Sequence, residues 1–133
     1  MFAGTGLQQS EPIAAHTWPP LVGYECDGAP LEDIDPRTGL AVLSREAARC
    51  GTPPDFRLLA VAALGDGWQE LPPRESQPDR GGIHAATMGI FSRNGTVFSA
   101  GTTDWAQVLS SGEDPRVQTI TRNVIDRLLG FAR

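Results

Sequence analysis

Apolar residues along this chain cluster into short runs separated by polar turns, and the period changes towards the C-terminus. Leu21-Val22-Gly23-Tyr24-Glu25-Cys26 reads as a short strand stopped by Asp27-Gly28. Leu31 to Gly39 is an acidic turn region. Leu40, Leu43, Ala47 and Cys50 recur at helical spacing, with Gly51 placed to close a helix at its C′ position; a strand over Leu40–Leu43 is the competing reading. Phe56 to Leu64 (FRLLAVAAL) is a near-continuous apolar run of strand length, the pattern of a strand covered on both faces. Gly65 to Gly82 reads as loop. Ala85–Ser92 and Thr96–Gly101 are two strands facing each other across Arg93-Asn94-Gly95, because Asn-Gly supplies the positive φ a tight hairpin needs.

The period then becomes helical. Asp114 is a candidate N-cap, Pro115 sits at the first helical position where its missing N–H costs nothing, and Gly130 closes the C-terminus. Val117, Ile120, Val124, Leu128 and Leu129 make the buried stripe, and Arg122 and Asp126 are spaced to pair on the outer side. Strand, polar turn and helix form the unit from which open α/β sheets are built, so the expected fold class is α/β, with a final hairpin and C-terminal helix.

Ten of the eleven prolines fall at or before Pro78, so regular structure concentrates late in the chain. Residues 1–20 read as an irregular or frayed lead-in, and 21–133 as a single domain of a size that builds one core. Apolar content of 40% and charged content of 20% are those of a soluble globular protein. The N-terminus lacks the basic and apolar regions of a signal peptide, and a cytoplasmic location is expected. The Asn94-Gly95-Thr96 sequon is then explained by the hairpin alone. Net charge is −5, and the eleven cations, all Arg, are scattered singly, which disfavours nucleic acid and anionic membrane as partners.

Polar residues released where strands end are candidates for chemistry. Glu25, last but one in its strand, could act as a base, orient a water or support a metal; equally, it could point to solvent from an edge strand. Thr102, Thr103, Asp104 and Trp105 follow the strand at 96–101 and could line a cleft, with Asp104 a second catalytic candidate and the others binding substrate. Asp104 could instead cap a helical turn and Trp105 pack over the core. Cys26 and His84 do not make a nucleophile–base pair by pattern: Gly23 precedes Cys26 by three residues rather than two, and no Glu follows His84 two residues on. Cys26 and Cys50 fit neither a metal spacing nor a disulfide framework. Glu32, Asp33 and Asp35 lack the Gly and terminal Glu of a calcium loop and read as a solvated turn. His16 is isolated.

The stretch Gly95–Gly130 (GTVFSAGTTDWAQVLSSGEDPRVQTITRNVIDRLLG) resembles the C-terminal signature of the large, catalytic subunit of N,N-dimethylformamidase and its relatives. The resemblance is moderate around Gly23-Tyr24-Glu25-Cys26-Asp27, similar to a Gly-aromatic-Glu-x-Asp strand end in that family, and faint in between. It implies the C-terminal half of an open, glutamine-amidotransferase-like sheet. It implies a hydrolase of amide C–N bonds acting on a small amide, in which Glu25 lies in the active-site pocket. The family's mononuclear iron is held by two tyrosines and a glutamate in its upstream portion. With Tyr24 the sole tyrosine, no such site can be assembled from one copy of this chain, and no cofactor is expected in it. The resemblance thus implies a domain or fragment that self-associates or depends on a partner polypeptide. The alternative is a non-catalytic module that keeps the fold for structure or partner binding.

Overall fold

A computed structural model describes residues 1–68 and 83–131. The chain forms a small mixed α/β domain: strands β1 (Leu31–Ile34), β2 (Ala41–Leu43), β3 (Arg57–Ala63), β4 (Ala85–Ser92) and β5 (Thr96–Ser99), then helices α1 (Trp105–Ser111) and α2 (Pro115–Leu128). β1 and β2 make a two-stranded antiparallel sheet, and β3-β4-β5 a three-stranded one, also antiparallel.

The hairpin between β4 and β5 forms where Asn-Gly predicts it, with Ser92 opposite Thr96 and Asn94 at φ 54. β4 is the central strand and buries Ala85 to Gly89. Gly89 is required there: the Phe56 ring occupies the space a Cβ would need, and that ring lies 6.3 Å from Phe91. The apolar run in β3 lies on the sheet's edge and is half-buried, rather than covered on both faces as expected. An antiparallel strand pairs with its neighbour without requiring a helical crossover above it, so nothing compels a second covering layer.

The segment Leu21–Cys26 is not a strand. Among the described residues its one ladder contact is an isolated bridge from Cys26 to Thr102. The N–H groups of Gly23 and Tyr24 both point at one oxygen of Asp104, at 2.9 and 2.8 Å. Consecutive strand N–H groups point in opposite directions, so this shared acceptor imposes a turn. The acidic region after it holds β1 and a turn closed by Asp35, whose carboxylate accepts from Arg37 N, Thr38 N and the Thr38 hydroxyl. These bonds hold the Asp35 carboxyl below its ordinary range. Leu40–Cys50 is likewise no single helix: the competing strand reading holds for Ala41–Leu43, and only Ala47–Cys50 turns helically, as a 3-10 turn ended by Gly51 at φ 96. Pairing with β1 takes the backbone bonds that a helix starting at Leu40 would use. The loop expected over Gly65–Gly82 falls largely on 69–82, outside the described residues.

α2 starts as predicted, with Pro115 first and Asp114 accepting from Arg116 N. Its buried stripe is shorter than the periodicity suggested. Val117 and Ile120 are fully buried and Val124 nearly so, but Leu128 and Leu129 are 47% and 62% exposed. The core they were expected to cover ends one turn earlier: Val108 of α1, Val117 and Ala14 form its centre, with Ile13, Leu21, Trp105 and Leu109 packed around them. Among the described residues Arg122 and Asp126 form no ion pair, as is common where holding two exposed side chains together offsets a weak attraction.

Residues 1–20 were expected to be irregular or frayed. They are irregular but bonded to α2 and the loop before it. Ala14 N donates to Asp114 Oδ2 at 2.9 Å, Trp18 N to Glu113 Oε2 at 3.0 Å, and Asn123 Nδ2 to the carbonyls of Met1 and Ala3, each at 2.8 Å.

Candidate functional site

The two segments singled out in the sequence, Gly23–Asp27 and Thr102–Trp105, lie against each other. Gly101 begins the junction at φ 73, with the Thr87 backbone where a side chain would go, so only glycine fits. Gly101 O accepts from Asp27 N at 3.0 Å, and Asp27 O accepts from Thr87 N of β4 at 3.0 Å. The Thr87 hydroxyl accepts from Ala29 N at 2.9 Å. Gly28, between them, passes so close to the Ala85 carbonyl that a Cβ would collide with it. The 23–29 segment is thereby clamped between β4 and the turn that opens α1.

Within this junction each candidate has a defined place. The Thr102 hydroxyl donates to Leu21 O at 2.7 Å and accepts from Asp104 N at 3.1 Å. Thr103 gives both its N–H, at 3.1 Å, and its hydroxyl, at 3.2 Å, to the backbone carbonyl of Glu25. Asp104 is 1% exposed. It stands at the N-cap position of α1 but makes no cap bond. One oxygen takes the N–H groups of Gly23 and Tyr24, and the other accepts from Gln107 Nε2 at 3.2 Å. A buried carboxylate needs such donors, and here they come from the chain itself. Trp105 gives its indole N–H to Thr121 Oγ1 at 3.0 Å, and its ring meets Phe98 edge-on at 6.3 Å. It joins the sheet to both helices.

Glu25 differs from all of these. Its backbone is fixed by Thr103 while its side chain is exposed, and its carboxylate makes no hydrogen bond or ion pair among the described residues. Tyr24 beside it is 81% exposed. The half-buried Cys26 thiol is pushed up from its ordinary value, first by burial and then by the charges of Asp27, Asp104 and Glu25. An activated nucleophilic cysteine is shifted the other way. The junction therefore presents two exposed carboxylates, Glu25 and Asp27, that make no side-chain bond among the described residues, on a backbone held by Thr103, Gly101 and Thr87.

Two features carried no legible pattern. An apolar cleft of about 710 Å³ lies between the N-terminal segment, the β1–β2 turn and the β3–β4–β5 sheet, with Leu21 and Thr102 in its wall. It places the junction at the margin of a concavity of the size that holds small ligands. The Asp114 cluster is the second. Asp114 accepts from Ala14 N, from Arg116 N and from the Arg116 guanidinium, the last at 2.7 Å; a residue read only as a cap also anchors a segment one hundred positions away. His16, given no role, has a ring nitrogen 3.4 Å from Glu113 O.

Among the described residues no group of three His, Cys, Asp or Glu is placed to hold a metal ion, and no helix is long and apolar enough to cross a membrane. Comparison with protein-family models, with curated proteins and with solved structures found no match.

Proposed function

We propose that this chain is the C-terminal part of a dimethylformamidase-like hydrolase of amide C–N bonds, in which it contributes Glu25 and closes an amidotransferase-like sheet. One observation carries the reading. The two segments on which the resemblance rests, 78 positions apart, are bonded to one another through Thr103 and Glu25, and the carboxylate of Glu25 faces solvent. An exposed carboxylate on a clamped backbone can accept a proton from a water or orient it towards a carbonyl carbon. Asp104, with both oxygens taken by Gly23, Tyr24 and Gln107, positions that backbone, and Thr102 and Thr103 hold the carbonyls of Leu21 and Glu25. Trp105, bonded to Thr121, braces the turn. The residues present do not fit an iron site of the family's kind, because Tyr24 is the single tyrosine; metal chemistry in the assembly would rest on other polypeptide.

The second reading, a non-catalytic partner-binding module, is favoured by the apolar end of α2. Ile125, Leu128, Leu129 and Phe131 are 50%, 47%, 62% and 73% exposed, and a cluster of this kind marks an interaction surface. The two readings separate in the assembly completed by upstream polypeptide. There Glu25→Gln, which keeps the shape and removes the proton acceptor, is expected to abolish hydrolysis of a small N-substituted amide, with Asp33→Asn as the near-neutral control. Full activity in Glu25→Gln rejects the catalytic role and leaves the module.

A further inference from the structure

The chain has two asparagines, Asn94 and Asn123, in opposite circumstances. Asn123 lies inside α2, is followed by the β-branched Val124, and donates its side-chain amide to the carbonyls of Met1 and Ala3. Asn94 sits at the tip of the β4–β5 hairpin, where Ser92 to Val97 are all exposed. Its side chain makes no hydrogen bond among the described residues. The residue after it is Gly95, around which no atom lies within 4 Å of the place a Cβ would take. The loop's backbone bond, Arg93 N to Gly95 O at 2.8 Å, uses the glycine's carbonyl and leaves its nitrogen out.

We propose that Asn94–Gly95 is a site of spontaneous covalent modification, in which Asn94 closes to a succinimide and reopens as aspartate or isoaspartate. The Gly95 backbone nitrogen, on losing its proton to solvent, attacks Cγ of Asn94. The new C–N bond closes a five-membered ring, and the Cγ–Nδ2 bond breaks as the side-chain nitrogen takes a proton and leaves as ammonia. Water then opens the ring. Attack at Cγ yields aspartate with the backbone unchanged, and attack at the former backbone carbonyl yields isoaspartate, which carries the chain through the side chain and lengthens it by one methylene. No oxidant or cofactor is involved. The Gly95 nitrogen reaches Cγ only at particular settings of the Asn94 ψ and χ1 angles, and closure of the hairpin by the pairing of Ser92 with Thr96 restricts the backbone there. The fold therefore slows the reaction.

The two products differ in consequence. Aspartate tolerates the left-handed conformation at a hairpin tip much as asparagine does. Isoaspartate lengthens a loop that sets the register of Ser92 with Thr96 and of Phe91 with Val97. A hairpin's register follows its loop length, and β5 leads directly into Gly101 and the Thr102–Asp104 turn. Modification at the tip is thus transmitted to the junction that holds Glu25.

The test is incubation of the intact chain at mildly alkaline pH, folded and in urea, followed by digestion at acidic pH, where the amide nitrogen stays protonated and conversion stops. Mass mapping and enzymatic isoaspartyl methylation locate the product. Loss of ammonia is expected at Asn94 and not at Asn123, several-fold faster in urea, with isoaspartate the larger product. The converted pool is expected to melt below an Asn94→Asp variant, which carries the same charge without the extra methylene. Asn94 intact in the folded chain after the unfolded chain has converted, or Asn123 reacting as fast, overturns the site. A converted pool that melts with Asn94→Asp overturns its effect on register.

Discussion

Replacing Asp114 by Asn keeps the side chain's shape and removes one charge from the most heavily used carboxylate among the described residues. Its side chain is 1% exposed, and it serves Ala14 N, Arg116 N and the Arg116 guanidinium together. The guanidinium bond, then the backbone donors, hold its carboxyl at about 2 against an ordinary 3.8. A depression of that size corresponds to about 2 kcal/mol of folding free energy in the ionised state. Because the folded value lies below the unfolded one, that contribution is complete above about pH 4 and fades as the pH falls towards 2. Asp114→Asn should therefore lose about 2–3 kcal/mol at neutral pH, the range for a hydrogen bond to a charged group whose partner stays buried. The melting temperature should fall by roughly 10 °C for a domain of this size. Urea titrations followed by tryptophan fluorescence, on both proteins at several pH values, measure the difference directly, and groups common to both cancel. The gap should narrow between pH 4 and pH 2 and nearly close below it. A gap that is absent at pH 7, or that stays constant to pH 2, would refute the assignment of this stability to the Asp114 charge.

Ile120→Asp puts a charge at a fully buried position and should cost several kcal/mol, whereas Leu128→Asp, at a residue 47% exposed, should cost less than about 1 kcal/mol; chemical denaturation compares them, and equal losses would mean that the buried face of α2 is misplaced. Gly101→Ala should destabilise by about 2–4 kcal/mol, because an alanine there is strained at φ 73 and meets the Thr87 backbone, while Gly65→Ala, with open space around it, should be near neutral. Asp104→Asn should raise amide exchange at Gly23 and Tyr24, which share its carboxylate oxygen, more than at β4; unchanged exchange there would show that the turn stands without the charge. Purified chain should hold no stoichiometric iron by elemental analysis, since Tyr24 is its sole tyrosine and a site needs a matched set of ligands; about one iron per chain would contradict this.

Local chemistry made the hairpin and α2 legible in the sequence. Asn94-Gly95 and Asp114-Pro115 act within their own neighbourhoods through φ preference and capping, so a few residues suffice to place them. The same holds for Gly51, whose left-handed cap survived although the helix before it shrank to one turn. Part of the candidate site was legible too: Glu25 and Thr102–Trp105 stood out as polar residues at strand ends, and the fold joins those segments through Thr103. Their individual roles were not legible, because a sequence does not show whether a carboxylate's acceptors are filled. Asp104 and Glu25 are the same kind of group, yet backbone N–H groups 80 and 81 positions away occupy one of them.

What the sequence determined by itself is therefore a mixed α/β chain whose last third runs hairpin, turn, capped helix. Tertiary structure alone decided that Leu21–Cys26 turns instead of extending, that residues 1–20 are strapped to α2, and that the stripe of α2 is covered only as far as Val124. Each of these depends on partners distant in the chain. Two N–H groups bend towards one carboxylate, Ala14 lies on Val108 and Val117, and Leu128 stays exposed because no element among the described residues reaches past the core's edge to cover it. Periodicity states which face of a helix is apolar; only packing states how much of that face another surface meets.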